Sequence, residues 1–161
     1  MITTIVAERP DTDDALALLQ ELDTHLHAMP YPAESRHAFS VERLLQDGVA
    51  FYVTRADGKP AACGGIKLFA EDYAEVKRMY VRPEFRGLGL GKSMLGHLET
   101  HAQQTGIKLL RLETGIYQKD AIGLYESYGF QRRGPFGEYK EDPMSIYFEK
   151  QIGPAAMRSV P

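Results

Sequence analysis

The chain has 161 residues, 43% of them hydrophobic and 25% charged, which suits one folded body and excludes disordered or fibrous classes. Nineteen basic against 22 acidic residues give a net charge of −3, so the basic excess of a general nucleic-acid binder is missing. A lone cysteine, Cys63, excludes an intramolecular disulfide and a thiolate metal cluster.

The apolar runs Ala15–Leu19 and Val49–Val53 are five residues long, against the roughly 20 that a bilayer span needs. The first residues, Met1-Ile-Thr-Thr-Ile-Val-Ala-Glu8, carry no basic segment ahead of an apolar one. A cytoplasmic protein without membrane contact is expected.

Ile2–Ala7 reads as a strand. Asp11-Thr-Asp-Asp14 offers capping oxygens to a helix with Leu16, Leu19, Leu22 and Leu26 on one face, and Pro30-Tyr31-Pro32 breaks it. A second helix is expected over Ser35–Gln46. Ala50–Arg55 and Pro60–Leu68 flank Asp57-Gly58, a hairpin dipeptide, and Tyr73–Arg82 forms the next strand up to Pro83. From Gly89 to Gln104 the pattern turns helical: Leu90, Met94, Leu98 and Ala102 recur every four residues, and Gly106 ends the run. A strand at Lys108–Thr114, a helix at Lys119–Ser127 and strands near Phe130–Arg133 and Ser145–Lys150 complete a mixed α/β order over residues 1–150. Its central strand–helix–strand step is a crossover pairing two strands in parallel. Residues 151–161 read as a flexible tail.

The informative stretch is Val81-Arg-Pro-Glu-Phe-Arg86-Gly-Leu-Gly-Leu-Gly91-Lys-Ser93. Gly87, Gly89 and Gly91 stand between a strand and a helix, where glycine lets backbone N–H groups approach an anion and the helix terminus favours negative charge. With Arg86 and Lys92 beside them, these residues describe a diphosphate cradle. The dinucleotide fingerprint G-x-G-x-x-G fails, because its last glycine would fall on Lys92 or Met94. A P-loop needs glycine where Arg86 stands.

R-x-x-G-x-G does match, as Arg86, Gly89 and Gly91 after the V-x-P of Val81–Pro83. This resembles the pyrophosphate loop of the GNAT superfamily of acyl-CoA-dependent N-acyltransferases. A second block, Gln118-Lys-Asp-Ala121-Ile-Gly-Leu-Tyr125-Glu-Ser-Tyr-Gly129-Phe130, resembles that family's later A-x-x-x-Y-x-x-x-G-F motif, with Gln118 where many members carry Asn. The close likeness spans about residues 75–130.

The resemblance implies a mostly antiparallel, twisted sheet of six to seven strands, split into a V between the fourth and fifth and flanked by about four helices. It implies acetyl-CoA as co-substrate and no metal. Pantetheine would pair with the strand backbone at Met79, Tyr80 and Val81, and the diphosphate would sit on Arg86, Gly87, Leu88, Gly89, Leu90, Gly91, Lys92 and Ser93, with Gln118 beside it. Tyr125 matches the tyrosine that protonates the departing thiolate. An ammonium must first lose a proton near pH 10; Glu113 and its rival Glu75 are the candidate bases, directly or through water.

Tyr31, Phe39 and Tyr139 are candidate walls for the acceptor, with an acidic rim from Glu71, Asp72, Glu138, Glu141 and Asp142 that would attract a cationic amine. A small amine, amino-acid-like or polyamine-like, is the expected acceptor, with a protein N-terminus or lysine as the alternative. A P-loop phosphotransferase and a non-catalytic CoA-binding module are readings of another class, and a homodimer is left open. His97 and His101 share a helix face but lack a third metal ligand, and Cys63, Tyr128 and Phe130 read as core.

Overall fold

In a computed structural model of the chain, described over residues 1–36 and 39–153, seven strands form one sheet: β1 (Thr3–Ala7), β2 (Ala50–Ala56), β3 (Lys59–Phe69), β4 (Tyr73–Val81), β5 (Leu109–Gly115), β6 (Gln131–Arg133) and β7 (Ser145–Gln151). Their spatial order is β1-β2-β3-β4-β5-β7-β6. Every neighbouring pair is antiparallel except β4 with β5, which run parallel. The crossover between them is the helix α3 (Leu90–Gln104), as a parallel connection requires.

Asp57 at φ 48 and Gly58 at φ 82 turn β2 into β3 with both central residues left-handed, the geometry that follows a sheet's twist. The Asp57 side chain accepts the Ile2 N–H at 2.9 Å, which ties β1 to the same turn.

Helices cover both faces. On one lie α3 and α4 (Lys119–Ser127), where Met94, Leu95, Leu98 and Tyr125 pack on Ile66, Val76, Leu110, Leu112 and Phe148. The four-residue spacing of Leu90, Met94, Leu98 and Ala102 is the buried stripe of α3; truncating the fully buried Leu98 to alanine would cost about 3 kcal/mol. On the other face, α1 (Asp13–His27) and α2 (Val41–Gln46) cover Phe51, Val53, Cys63 and Tyr80. Thr12 caps α1 by accepting the Ala15 N–H at 3.2 Å.

Three expectations change. The buried face of α1 is Ala15, Leu18, Leu19 and Leu22, with Leu16 and Leu26 only half-buried. The helix expected over Ser35–Gln46 is a 3-10 turn at Ala33–Ser35 and a short α2, because Ser40 stands in extended backbone and caps the Arg43 N–H. Gln151 ends β7, and Ile152 is buried with its N–H on Lys108 O at 2.9 Å, so 151–153 belong to the body. Residues 154–161 lie outside the described residues.

Candidate active site

The β4–β5 ladder consists of two pairs, Ala74↔Leu110 and Glu75↔Arg111. Beyond Glu75 the strands part, leaving the outer half of β4 without a partner on its β5 side among the described residues. A bulge lies along the other edge of β4: Cys63 faces Tyr80 and Gly65 faces Lys77, so three steps along β4 match two along β3. Arg78 takes up the extra residue at φ 57, a left-handed conformation uncommon outside glycine.

Past β4 the chain makes a 3-10 turn at Pro83–Phe85 and enters the glycine loop. Gly87 at φ 79 and Gly89 at φ 80 have open space where a Cβ would stand, so backbone conformation rather than packing requires glycine there. Gly91 differs: a Cβ would meet Leu124 Cδ2 at 2.8 Å. Gly89 caps α3 without a side chain, and the first turn of α3 holds no acidic residue. Uncapped N–H groups at a helix N-terminus suit an anion.

This loop forms one side of a cleft of about 670 Å³, a size suited to a cofactor-scale ligand. Met79, Tyr80, Val81, Arg86, Gly87, Gly89, Leu90, Gly91, Lys92, Gln118 and Tyr125 all line it. Leu88 and Ser93 do not: the Leu88 side chain is 52% exposed, and the Ser93 N–H closes the first turn of α3 on Gly89 O at 3.0 Å. Arg86 donates Nε to Val81 O at 3.0 Å.

Tyr125 stands across the cleft on α4, 6% exposed, with its ring against Phe130 and Phe148. Its hydroxyl makes no hydrogen bond among the described residues. Burial first, and the Glu113 charge second, push its pKa well above the ordinary tyrosine value.

A second cavity of about 1100 Å³ opens on the sheet face of α1 and α2. At its floor Glu75, 3% exposed, accepts from Tyr139 Oη at 2.6 Å and Lys77 Nζ at 3.0 Å. The Lys77 ammonium lies 4.2 Å from the Phe39 ring centroid. Burial and the Glu75 carboxylate hold the Tyr139 hydroxyl far above its usual pKa. Glu113, half-buried on β5, accepts from Ser145 Oγ at 2.9 Å. Its charge acts on the hydroxyls of both Tyr125, in the first cavity, and Tyr139, in the second.

Residues 16–130 match the model of the acetyltransferase (GNAT) family. The chain belongs to that family. It is 42% identical over 150 residues to an IAA acetyltransferase of Azospirillum brasilense, covering 92% of this chain and 97% of the relative. A Klebsiella pneumoniae crystal structure described as an acyl-CoA N-acyltransferase superposes with a TM-score of 0.80 at 34% identity, over 94% of this chain and 99% of that one. PaiA N-acetyltransferase of Thermoplasma acidophilum, solved with coenzyme A, shares the fold at 22% identity and a TM-score of 0.76, over 94% and 99% of the two chains. The GNAT sheet with its parallel, splitting β4–β5 pair, and the acyltransferase class, are those read from the two motifs.

Within this acetyltransferase, Phe39 and Tyr139 both line the second cavity, whereas Tyr31 lines neither. Tyr31 accepts the Tyr117 N–H at 2.9 Å and fills the space over Gly115, where an added Cβ would collide with its hydroxyl. It is a strut between the end of α1 and the β5–α4 loop. The expected acidic rim is corrected as well. Glu138, Glu141 and Asp142 line the cavity and Glu71 and Asp72 do not, while Arg36, Arg43, Lys67 and Lys77 line it too.

The motifs gave no notice of Leu22 and His25, which bring α1 to the first cleft, of Met29 just past its end, nor of Tyr117 at the other wall. His97 and His101 pack on Tyr52, whose hydroxyl lies 2.8 Å from His101 Nδ1. Among the described residues no group of three or more His, Cys, Asp or Glu could hold a metal ion.

Proposed function

We propose that this GNAT acetyltransferase moves the acetyl group of acetyl-CoA directly to a small primary amine, with both substrates bound together. The observation that carries the reading is the pair of cavities along β4, with Met79–Val81 and Tyr125 lining one and Glu75 and Tyr139 lining the other.

The cradle residues fit the cofactor. Two left-handed glycines, an uncapped helix start and the cations Arg86 and Lys92 suit a diphosphate, and the unpaired edge of β4 at Met79–Val81 suits an amide chain. When bound, acetyl-CoA supplies an activated thioester carbonyl.

The chain's own groups then do the proton work. Glu113, directly or through one water, accepts a proton from the substrate ammonium, freeing the nitrogen lone pair. Backbone N–H groups of the β4 edge face charge that develops on the carbonyl oxygen. The nitrogen forms the new C–N bond as the C–S bond breaks. Tyr125, kept protonated by its burial, gives its proton to the departing thiolate and is reprotonated by the second proton that the nitrogen sheds. An amide and a free thiol are the products, and the proton on Glu113 passes to solvent. Glu75, bound to Lys77 and Tyr139, shapes the acceptor floor.

Thiol release on mixing the chain with acetyl-CoA and a panel of amines tests this reading, alongside calorimetric titration of acetyl-CoA. Turnover of several small amines is the expected result. Silence with every small amine, together with acetylation of peptide N-termini, would reverse the acceptor class.

A further inference from the structure

The second cavity is charged in two opposite senses. On its α2, β3 and β4 wall stand Arg43, Lys67 and Lys77, gathered around the Phe39 ring at 4.5, 5.9 and 4.2 Å from its centroid. Arg43 and Lys67 share one carboxylate, Asp47, at 3.5 and 3.0 Å, and Lys77 has Glu75. Arg36, lining the same cavity, donates to the carbonyl oxygens of Leu26 and Met29 and to no carboxylate among the described residues. With Glu34 beside Arg36, four cations on this side meet three carboxylates, Glu34, Asp47 and Glu75.

The loop between β6 and β7 also lines the cavity, with Glu138, Glu141 and Asp142 against Lys140, and Asp142 accepts from Ser35 Oγ, next to Arg36, at 3.0 Å. Lys67 and Lys77 are only 22% and 11% exposed in their side chains, so their fields are weakly screened.

A polyamine would set one of its ammonium groups against the Arg43–Lys67 pair. A zwitterion sets its carboxylate against that pair and its ammonium toward a carboxylate of the same cavity, Glu75. We infer that the acceptor is an amine that also carries a carboxylate, an amino acid rather than a simple amine or polyamine. Its carboxylate is held by Arg43, Lys67 and Arg36, its apolar part lies against Phe39, and its amino group reaches toward Glu75 and the split. This rests on the small-amine reading above and narrows it.

The test uses the full chain, acetyl-CoA and sets of three acceptors: an amino acid, its carboxamide, and the amine left when the carboxyl is removed. Phenylalanine, phenylalaninamide and phenethylamine form one set; lysine, lysinamide and cadaverine form another. The free acid should show a KM about tenfold or more below that of its amide, the loss expected when a charge-assisted contact is removed. Arg43→Gln and Lys67→Gln should each raise the KM for the acid several-fold, and Lys67→Arg should restore it, with melting curves confirming that all variants fold.

Amides or diamines turned over as well as the acids would overturn the inference and leave the small-amine reading standing. So would Gln variants whose KM for the acid is unchanged. Absence of thiol release with every acceptor in both sets would overturn the small-amine reading itself, and the inference with it.

Discussion

Arg78 of β4 stands in a left-handed backbone conformation at φ 57, and its guanidinium donates to Asp23 of α1 at 2.6 Å. The Arg78 side chain is 8% exposed, with Nε buried and unpartnered, so the ion pair with Asp23 offsets a costly placement. The pair ties α1 to the bulge between β3 and β4, next to Met79. Two separable effects follow. Asp23→Ala should lower stability by about 1–2 kcal/mol, less than a fully buried pair because Asp23 is 46% exposed. Arg78→Gly should be about 1 kcal/mol less damaging than Arg78→Ala, since glycine accepts the positive φ. Urea midpoints measure both, and equal midpoints for the two Arg78 variants would show that the backbone carries no strain.

The glycines of the cradle divide by mechanism. At Gly89 an alanine Cβ meets nothing within 4 Å but is strained by the φ of 80. Gly89→Ala should therefore lower Tm by only a few degrees, while weakening acetyl-CoA binding about tenfold or more. Gly91→Ala should act through packing, because its Cβ would press on Leu124 Cδ2 at 2.8 Å. Adding Leu124→Ala should then recover part of the Gly91→Ala loss, a coupling readable in a double-mutant cycle.

What the sequence discloses is what neighbours in the chain decide. The stripe Leu90, Met94, Leu98, Ala102 and the turn Asp57-Gly58 are local patterns, and both stand where the spacing puts them. The cradle is legible for the same reason: its glycines, cations and helix start lie within one short stretch. The acceptor side is not local. Arg36, Lys67, Lys77 and Tyr139 come from four segments, and only the folded sheet shows that cations outnumber carboxylates on one wall. Tyr31, an aromatic between two prolines, reads as a pocket wall, whereas its hydroxyl accepts the Tyr117 N–H. The bulge at Arg78 has no glycine of its own strand to announce it, only Gly64 and Gly65 across from it on β3.

Alkaline pH should weaken the fold. Tyr125 and Tyr139 both have folded pKa values raised above the ordinary 10, chiefly by burial. The folded state thus keeps protons that the unfolded state releases above about pH 10. The stability they contribute is complete below pH 10 and is lost as pH climbs toward their folded values, by up to about 1.4 kcal/mol per pH unit for each tyrosine. Denaturant midpoints taken from neutral to strongly alkaline pH, with the tyrosinate absorbance followed in parallel, should show a falling midpoint above pH 10. A flat midpoint would contradict the burial of these hydroxyls.

Tyr125→Phe removes only a hydroxyl that has no hydrogen-bond partner among the described residues, so the packing against Phe130 and Phe148 should survive. The expected outcome is a fall in kcat of about 10²-fold, the range for a general acid, with acetyl-CoA affinity retained in calorimetry. A fall in affinity with kcat intact would make Tyr125 a wall of the cleft instead.

The two candidate bases differ in what holds them. Glu75 is 3% exposed and carries the Lys77 ammonium and the Tyr139 hydroxyl on one oxygen. Glu75→Gln would strand the Lys77 charge in a nearly closed site, costing about 2–3 kcal/mol of stability. Glu113 is half-buried and bonded to Ser145 Oγ, and Glu113→Gln keeps the size of the side chain while removing its charge. If Glu113 is the base, Glu113→Gln lowers kcat by about 10²-fold or more and flattens the acidic limb of the kcat profile. Glu75→Gln should instead show its largest change in Tm. The opposite pattern, a pH limb that vanishes with Glu75 and persists without Glu113, would assign the proton to the residue at the apex of the split.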